Sequence, residues 1–136
     1  MKKNKDFIQD FNEDFWNGHN LAAFEKYFTS DFIGHYPDRD MDVEQTKGLI
    51  QAYFTAFPDL HITINDLIAE DDKVVKVWTA KSTNKGDFMG IPATGNRIEV
   101  SGIEVFRIAD GKIAENWVLM DNLGMMQQLG VIPKSE

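Results

Sequence analysis

A chain of 136 residues with a net charge of -8 and no cysteine is long enough for one domain that buries roughly two-thirds of its unfolded surface. It has no disulfide, thiolate metal site or cysteine nucleophile. Acidity without a basic cluster argues against a nucleic-acid partner. No long apolar run follows the basic residues of the opening MKKNKDFIQDFNEDFW, and no segment reaches membrane-spanning length. The expectation is a single domain over 1–136, cytoplasmic, with neither signal peptide nor membrane partner.

Phe7, Phe11 and Phe15, with Ile8 beside them, predict an amphipathic helix that ends at Asn17-Gly18. Asn20 is placed to cap a second helix carrying Leu21, Phe24 and Phe28, with an exit through TSDFIGHYPD into a short strand closed by Pro37. Asp42 and Gln45 form a capping-box pattern ahead of a third helix whose apolar side holds Val43, Ile50, Tyr53, Phe54 and Phe57, stopped by Pro58. The period then changes from helical to two. LHITINDLIAE, VVKVWTAKST, NRIEVSGIEVFRI and IAENWVLM read as four antiparallel strands, with EDDK and ADGK as turns, followed by a short closing helix. The fold class expected is α+β, with N-terminal helices packed on one face of a curved antiparallel sheet.

One long loop, STNKGDFMGIPATGNR, interrupts the strands and carries Phe88, Met89 and Ile91. It has neither the glycine spacing nor the lysine of a phosphate-binding loop. Two readings stand: it folds back to close one end of the core, or it forms a lid over a pocket. At the joint between last strand and closing helix, Asp121 sits among Trp117, Leu119, Leu123 and Met125. Asp is a favoured helix cap, and a carboxyl in apolar company is also suited to moving protons near neutrality. His19, His35 and His61 are too far apart in sequence to suggest a zinc site, and no metal is expected.

GDFMGIPATGNRIEV followed by GIEVFRIADGKIAENWVLMDNLGMMQQLG resembles the SnoaL-like polyketide cyclase or ester cyclase family. HYPD after the second helix and FPDL closing the third extend the likeness over most of the chain. The resemblance implies a cystatin-like cone shared with nuclear transport factor 2, scytalone dehydratase and ketosteroid isomerase, enclosing an apolar pocket between helices and sheet. It also implies an intramolecular aldol condensation on a small hydrophobic carbonyl compound, without cofactor or metal, in which a pocket Asp serves as acid and base. Asp121 is the matching position and His35 falls in a segment assigned to the pocket. Asn116 departs from the histidine found in relatives before the tryptophan.

With Asp121 facing the pocket, strand parity sends Trp117 and Leu119 inward as ligand-binding wall, joined by Tyr53, Phe57, Phe88 and Met89. The opposite parity, with Ile98, Val100, Phe106 and Val118, then becomes an apolar outer face covered in a homodimer. A non-catalytic binding protein for a hydrophobic metabolite is the alternative that the same pocket allows.

Overall fold

The computed structural model describes residues 2–131. Helix α1 (Lys2–Phe11) runs directly into a π-helical turn, Asn12–Trp16, and together they bury Ile8, Phe11 and Phe15 at 1% exposure or less. The wider turn places the buried Asn12 where its Nδ2 donates to the Ile62 carbonyl at 3.0 Å. Asn17 bonds the same residue's backbone in both directions, at 2.7 and 3.0 Å. Ile62 lies on a strand at the sheet edge, so these asparagine bonds satisfy backbone groups that no neighbouring strand reaches. Gly18 follows because a Cβ there would meet the Asp14 carbonyl oxygen at 2.2 Å.

The expected second helix is shorter than its sequence pattern suggests. A single 3-10 turn, Leu21–Ala23, leads into α2 (Phe24–Tyr27), and Phe28 already opens strand β1 (Phe28–His35). The β-hairpin partner β2 (Asp40–Met41) precedes α3 (Val43–Ala56). Helix α3 begins at the expected capping box, with Asp42 Oδ1 accepting from the Gln45 backbone N–H at 2.9 Å and Gln45 Oε1 accepting from that of Asp42 at 3.0 Å.

Four long strands follow, β3 (His61–Glu70), β4 (Lys73–Thr83), β5 (Arg97–Ala109) and β6 (Lys112–Met120), and then α4 (Asn122–Gln128). The sheet has six strands, the expected four joined by the expected short strand as β1 and by β2, in the order β2-β1-β6-β5-β4-β3, with β1 parallel to β6 and the other pairs antiparallel. The helices cover one face of this curved, unclosed sheet, giving the α+β cone. Rings stack through the core: Phe24 on Phe28 at 4.1 Å and Phe11 on Phe15 at 5.2 Å between centroids.

The strand parity is opposite to the expected one. Ile98, Val100 and Phe106 are at 6% exposure or less and face the helices. Trp117 and Leu119, 37% and 64% exposed, lie on the convex side with Ile68 and Ile103. Two bulges account for part of the ambiguity: Asn65 is the extra residue of β3 between Ile64 and Asp66, and Ala114 that of β6 between Ile113 and Glu115. Each bulge reverses the alternation along its strand.

Candidate active site

The helices and the concave sheet face enclose a cavity of about 100 Å³ whose wall is mostly apolar. Trp16, Tyr53 and Phe57 contribute from the helical side, and Trp78, Val100, Val118 and Met120 from the strands. Gly102 makes room for the indole of Trp78, since a Cβ on it would lie 2.3 Å from Cζ2. An engineered cavity of about 150 Å³ accepts benzene, so the resting shape suits a compact ligand.

Into this apolar space the sheet projects two ionisable side chains, Lys76 of β4 and Glu104 of β5. They are opposite one another in the β4–β5 ladder, both line the cavity, and both are buried, at 1% and 9% exposure. Asn116 of β6, 6% exposed, fixes the carboxyl by donating from Nδ2 to Glu104 Oε2 at 2.6 Å. Its own Oδ1 has no partner among the described residues and lies against Gly34, where a Cβ would approach it to 2.9 Å. Lys76 enters no ion pair or side-chain hydrogen bond among the described residues. Its Nζ lies 5.9 Å from the centroid of the Phe11 ring.

Burial sets the electrostatics. Removal from water pushes the Glu104 carboxyl up from its ordinary value, opposed by the Lys76 charge and the Asn116 bond. The same desolvation brings the Lys76 ammonium down to about 8, with the Glu104 charge opposing. Tyr36, also on the wall, is raised by burial and then by Glu104, so its hydroxyl keeps its proton. The cavity thus holds a carboxyl and an amine that are each pushed toward the neutral form, and a phenol that remains a donor.

The residues expected at the site distribute differently. Tyr53 and Phe57 line the cavity. Phe88 stands behind them, 3% exposed, its ring stacked on Tyr53 at 5.1 Å and tilted against Phe57 at 5.3 Å. The long loop therefore closes one end of the core, tied down by the backbone N–H groups of Lys85 and Gly86 donating to the Ala56 carbonyl. Met89 projects outward at 63% exposure, with a left-handed φ of 48°.

Asp121, exposed, is the cap of α4: its Oδ1 accepts from the Gly124 N–H at 2.9 Å, and it does not line the cavity. It anchors the helix whose Met125 does. Trp117 and Leu119 are turned from the cavity by the reversed parity. His35 is on the convex side too, stacked on Trp117 at 5.2 Å. Its Nδ1 bonds Asp40 at 2.8 Å and its Nε2 bonds Glu115 at 2.5 Å, and Arg107 Nε donates to the other Glu115 oxygen at 2.9 Å.

Lys76 and Glu104 were the readable signal. Each interrupts an apolar parity, Lys76 between Val74 and Trp78 and Glu104 between Gly102 and Phe106. A charge in that position marks either a solvent face or a functional site.

A cone of helices on a curved sheet, with titratable groups buried in an apolar cavity, defines a small-molecule site of the enclosed kind. The chain belongs to the SnoaL-like polyketide cyclase family, whose model matches residues 7–129. Among solved structures it is similar to AclR of Streptomyces galilaeus, a proposed hydroxylase, at 27% identity and a TM-score of 0.92, covering 100% of this chain and 86% of that one. A proposed polyketide cyclase from Acidithiobacillus ferrooxidans is 32% identical with a TM-score of 0.83, covering 95% of each chain. TsrD of Streptomyces laurentii is 28% identical with a TM-score of 0.83, covering 96% of each. No curated protein sequence matches the chain.

Proposed function

We propose that this protein is a cofactor-independent enzyme of the cyclase or isomerase type that acts on a small hydrophobic carbonyl compound, with Glu104 as the acid/base group. The observation that carries the reading is the buried Glu104 carboxyl, held by Asn116 in a cavity of otherwise mostly apolar wall. As a carboxylate it takes a proton from the carbon beside a carbonyl, and as an acid it returns one. Tyr36, still protonated, offers an O–H donor to the carbonyl oxygen as charge gathers there. Ring closure follows when the carbanion-like carbon meets a second carbonyl of the same molecule. The acid/base role thus moves from Asp121 and His35 to the carboxyl that the cavity itself contains, and Asp121 serves the site by seating α4.

The test is exchange of the α-protons of cyclopentanone in deuterium oxide, followed by proton NMR. The wild-type chain accelerates exchange, Glu104→Gln loses it because an amide cannot carry the proton, and Asp121→Asn keeps it. Equal exchange in wild type and Glu104→Gln contradicts the reading. Binding of the ketone without exchange favours the alternative, a non-catalytic binding protein for a hydrophobic metabolite.

The convex face supports a second copy as partner. Ile68, Ile103, Trp117 and Leu119, all more than a third exposed, place apolar surface on three long strands. Among the described residues no helix is long and apolar enough to cross a membrane.

A further inference from the structure

We propose that Lys76 is a nucleophilic amine that captures the carbonyl ligand as an imine, with Glu104 as the proton donor that releases water. This rests on the reading of the ligand as a carbonyl compound and adds a covalent step to it. The argument is geometric first. Lys76 is placed on the concave face of a central strand, lines the cavity, and stands opposite Glu104 in the ladder. Four surface lysines are paired with carboxylates: Lys26 with Asp14, Lys47 with Glu25, Lys73 with Asp72 and Lys81 with Glu99. Lys76 has no such partner among the described residues and is the cavity's amine. A lysine desolvated in an apolar pocket is the usual form of an imine-forming amine, and burial brings its ammonium to about 8, which leaves about a tenth of the amine neutral at pH 7.

The chemistry balances within the two side chains. The neutral Nζ attacks the carbonyl carbon, and the proton lost by nitrogen goes to the carbonyl oxygen, giving a carbinolamine. The Glu104 carboxyl then protonates the hydroxyl, water leaves, and an iminium faces the new Glu104 carboxylate. That carboxylate next takes the α-proton, leaving a neutral enamine and a protonated Glu104. The enamine carbon closes a ring onto a second carbonyl, whose oxygen takes the proton from Glu104 as the nitrogen returns to an iminium; water then adds to the iminium, gives its proton to the Glu104 carboxylate, and frees the lysine. Asn116, bonded to Glu104 at 2.6 Å, keeps the carboxyl aimed through the cycle.

The experiment is reductive trapping of the folded chain with butanal and sodium cyanoborohydride near pH 7.5, read by intact mass and peptide mapping. A single butyl group on Lys76, installed at least about tenfold faster than on any other lysine, is the expected result. Lys76→Met removes that adduct. If the variant does not fold, the peptide map of the unsubstituted chain decides alone. Butyl groups spread over surface lysines with Lys76 unmodified overturn the proposal. Cyclopentanone exchange that persists without an adduct at Lys76 overturns the imine and leaves the proton-transfer reading intact; an adduct without exchange does the reverse.

Discussion

The sheet carries ionisable groups on both faces, and the two faces treat them in opposite ways. On the concave side, Glu104 and Lys76 are removed from water, and each is pushed toward its neutral form. On the convex side, His35 and Glu115 are bonded to each other while still partly wet. There the bonds to Glu115 and then Asp40 raise His35, and the bonds from Arg107 and then His35 lower Glu115, so each is pushed toward its charged form. One sheet thus builds a site for proton transfer on one side and an ion-pair cluster on the other. The difference lies in desolvation against hydrogen bonding, not in residue type.

The largest effect expected from breaking this contrast is on chemistry. Glu104→Gln removes the only carboxyl of the cavity wall among the described residues and lowers carbonyl α-proton exchange by about 10²–10⁴-fold, measured by NMR, whereas His35→Gln on the other face leaves the rate within about twofold. Next comes the packing that keeps the concave side dry. Phe57, 2% exposed, braces the wall against Phe88, and Phe57→Ala costs about 3–5 kcal/mol in urea denaturation. An unchanged midpoint shows that the ring carries no such burial.

The two faces also differ in the sign of their pH response. His35 is raised from 6.5, so its share of stability is complete below 6.5 and is lost as pH rises through its folded-state value. Lys76 is lowered from 10.5 to about 8. Between those values the unfolded chain holds a proton that the native chain lacks, so stability from this group rises with pH across that window. Glu104, raised from 4.5, contributes a fall as pH climbs from 4.5 to its folded value. Denaturation midpoints across pH check all three: Lys76→Met abolishes the rise above about 8, His35→Gln the fall above 6.5 and Glu104→Gln the fall above 4.5.

A smaller effect belongs to the convex surface. Leu119→Lys changes monomer stability within about 0.5 kcal/mol yet shifts a dimer toward monomer in sedimentation; a wild type that is monomeric at all concentrations refutes the dimer. The smallest is at the cap. Asp121→Asn leaves stability nearly unchanged because Asn also caps, while Asp121→Ala loses about 0.5–2 kcal/mol.

The architecture was legible because its signals are local. The Phe7–Phe15 stripe, the Asp42 and Gln45 box, Pro58 and the Asp-Gly turn each fix a boundary by their own chemistry. The parallel pairing of β1 with β6 was not, since it joins segments about 80 residues apart, as Gly34 with Asn116, and only the assembled sheet brings them together. Facing was lost for a different reason. In β6 both parities are apolar, Trp117 and Leu119 on one and Val118 and Met120 on the other, and the bulge at Ala114 removes the count that would separate them. In β4 and β5 the buried Lys76 and Glu104 make the core face look like the wet one. A functional site that places charges in the core thus inverts the amphipathic pattern from which it would be read. Asp121 drew attention through its apolar neighbours, yet Leu119 and Leu123 are exposed with it.

The most direct test of the account is a carbon NMR titration of the glutamate side-chain carboxyls, with the Glu104 resonance assigned by its loss in Glu104→Gln. The desolvated concave carboxyl is predicted to titrate clearly above the ordinary 4.5, and to move higher still in Lys76→Met as the neighbouring charge is removed. A Glu104 that titrates at or below 4.5 contradicts the central claim that this cavity holds a proton-transfer carboxyl.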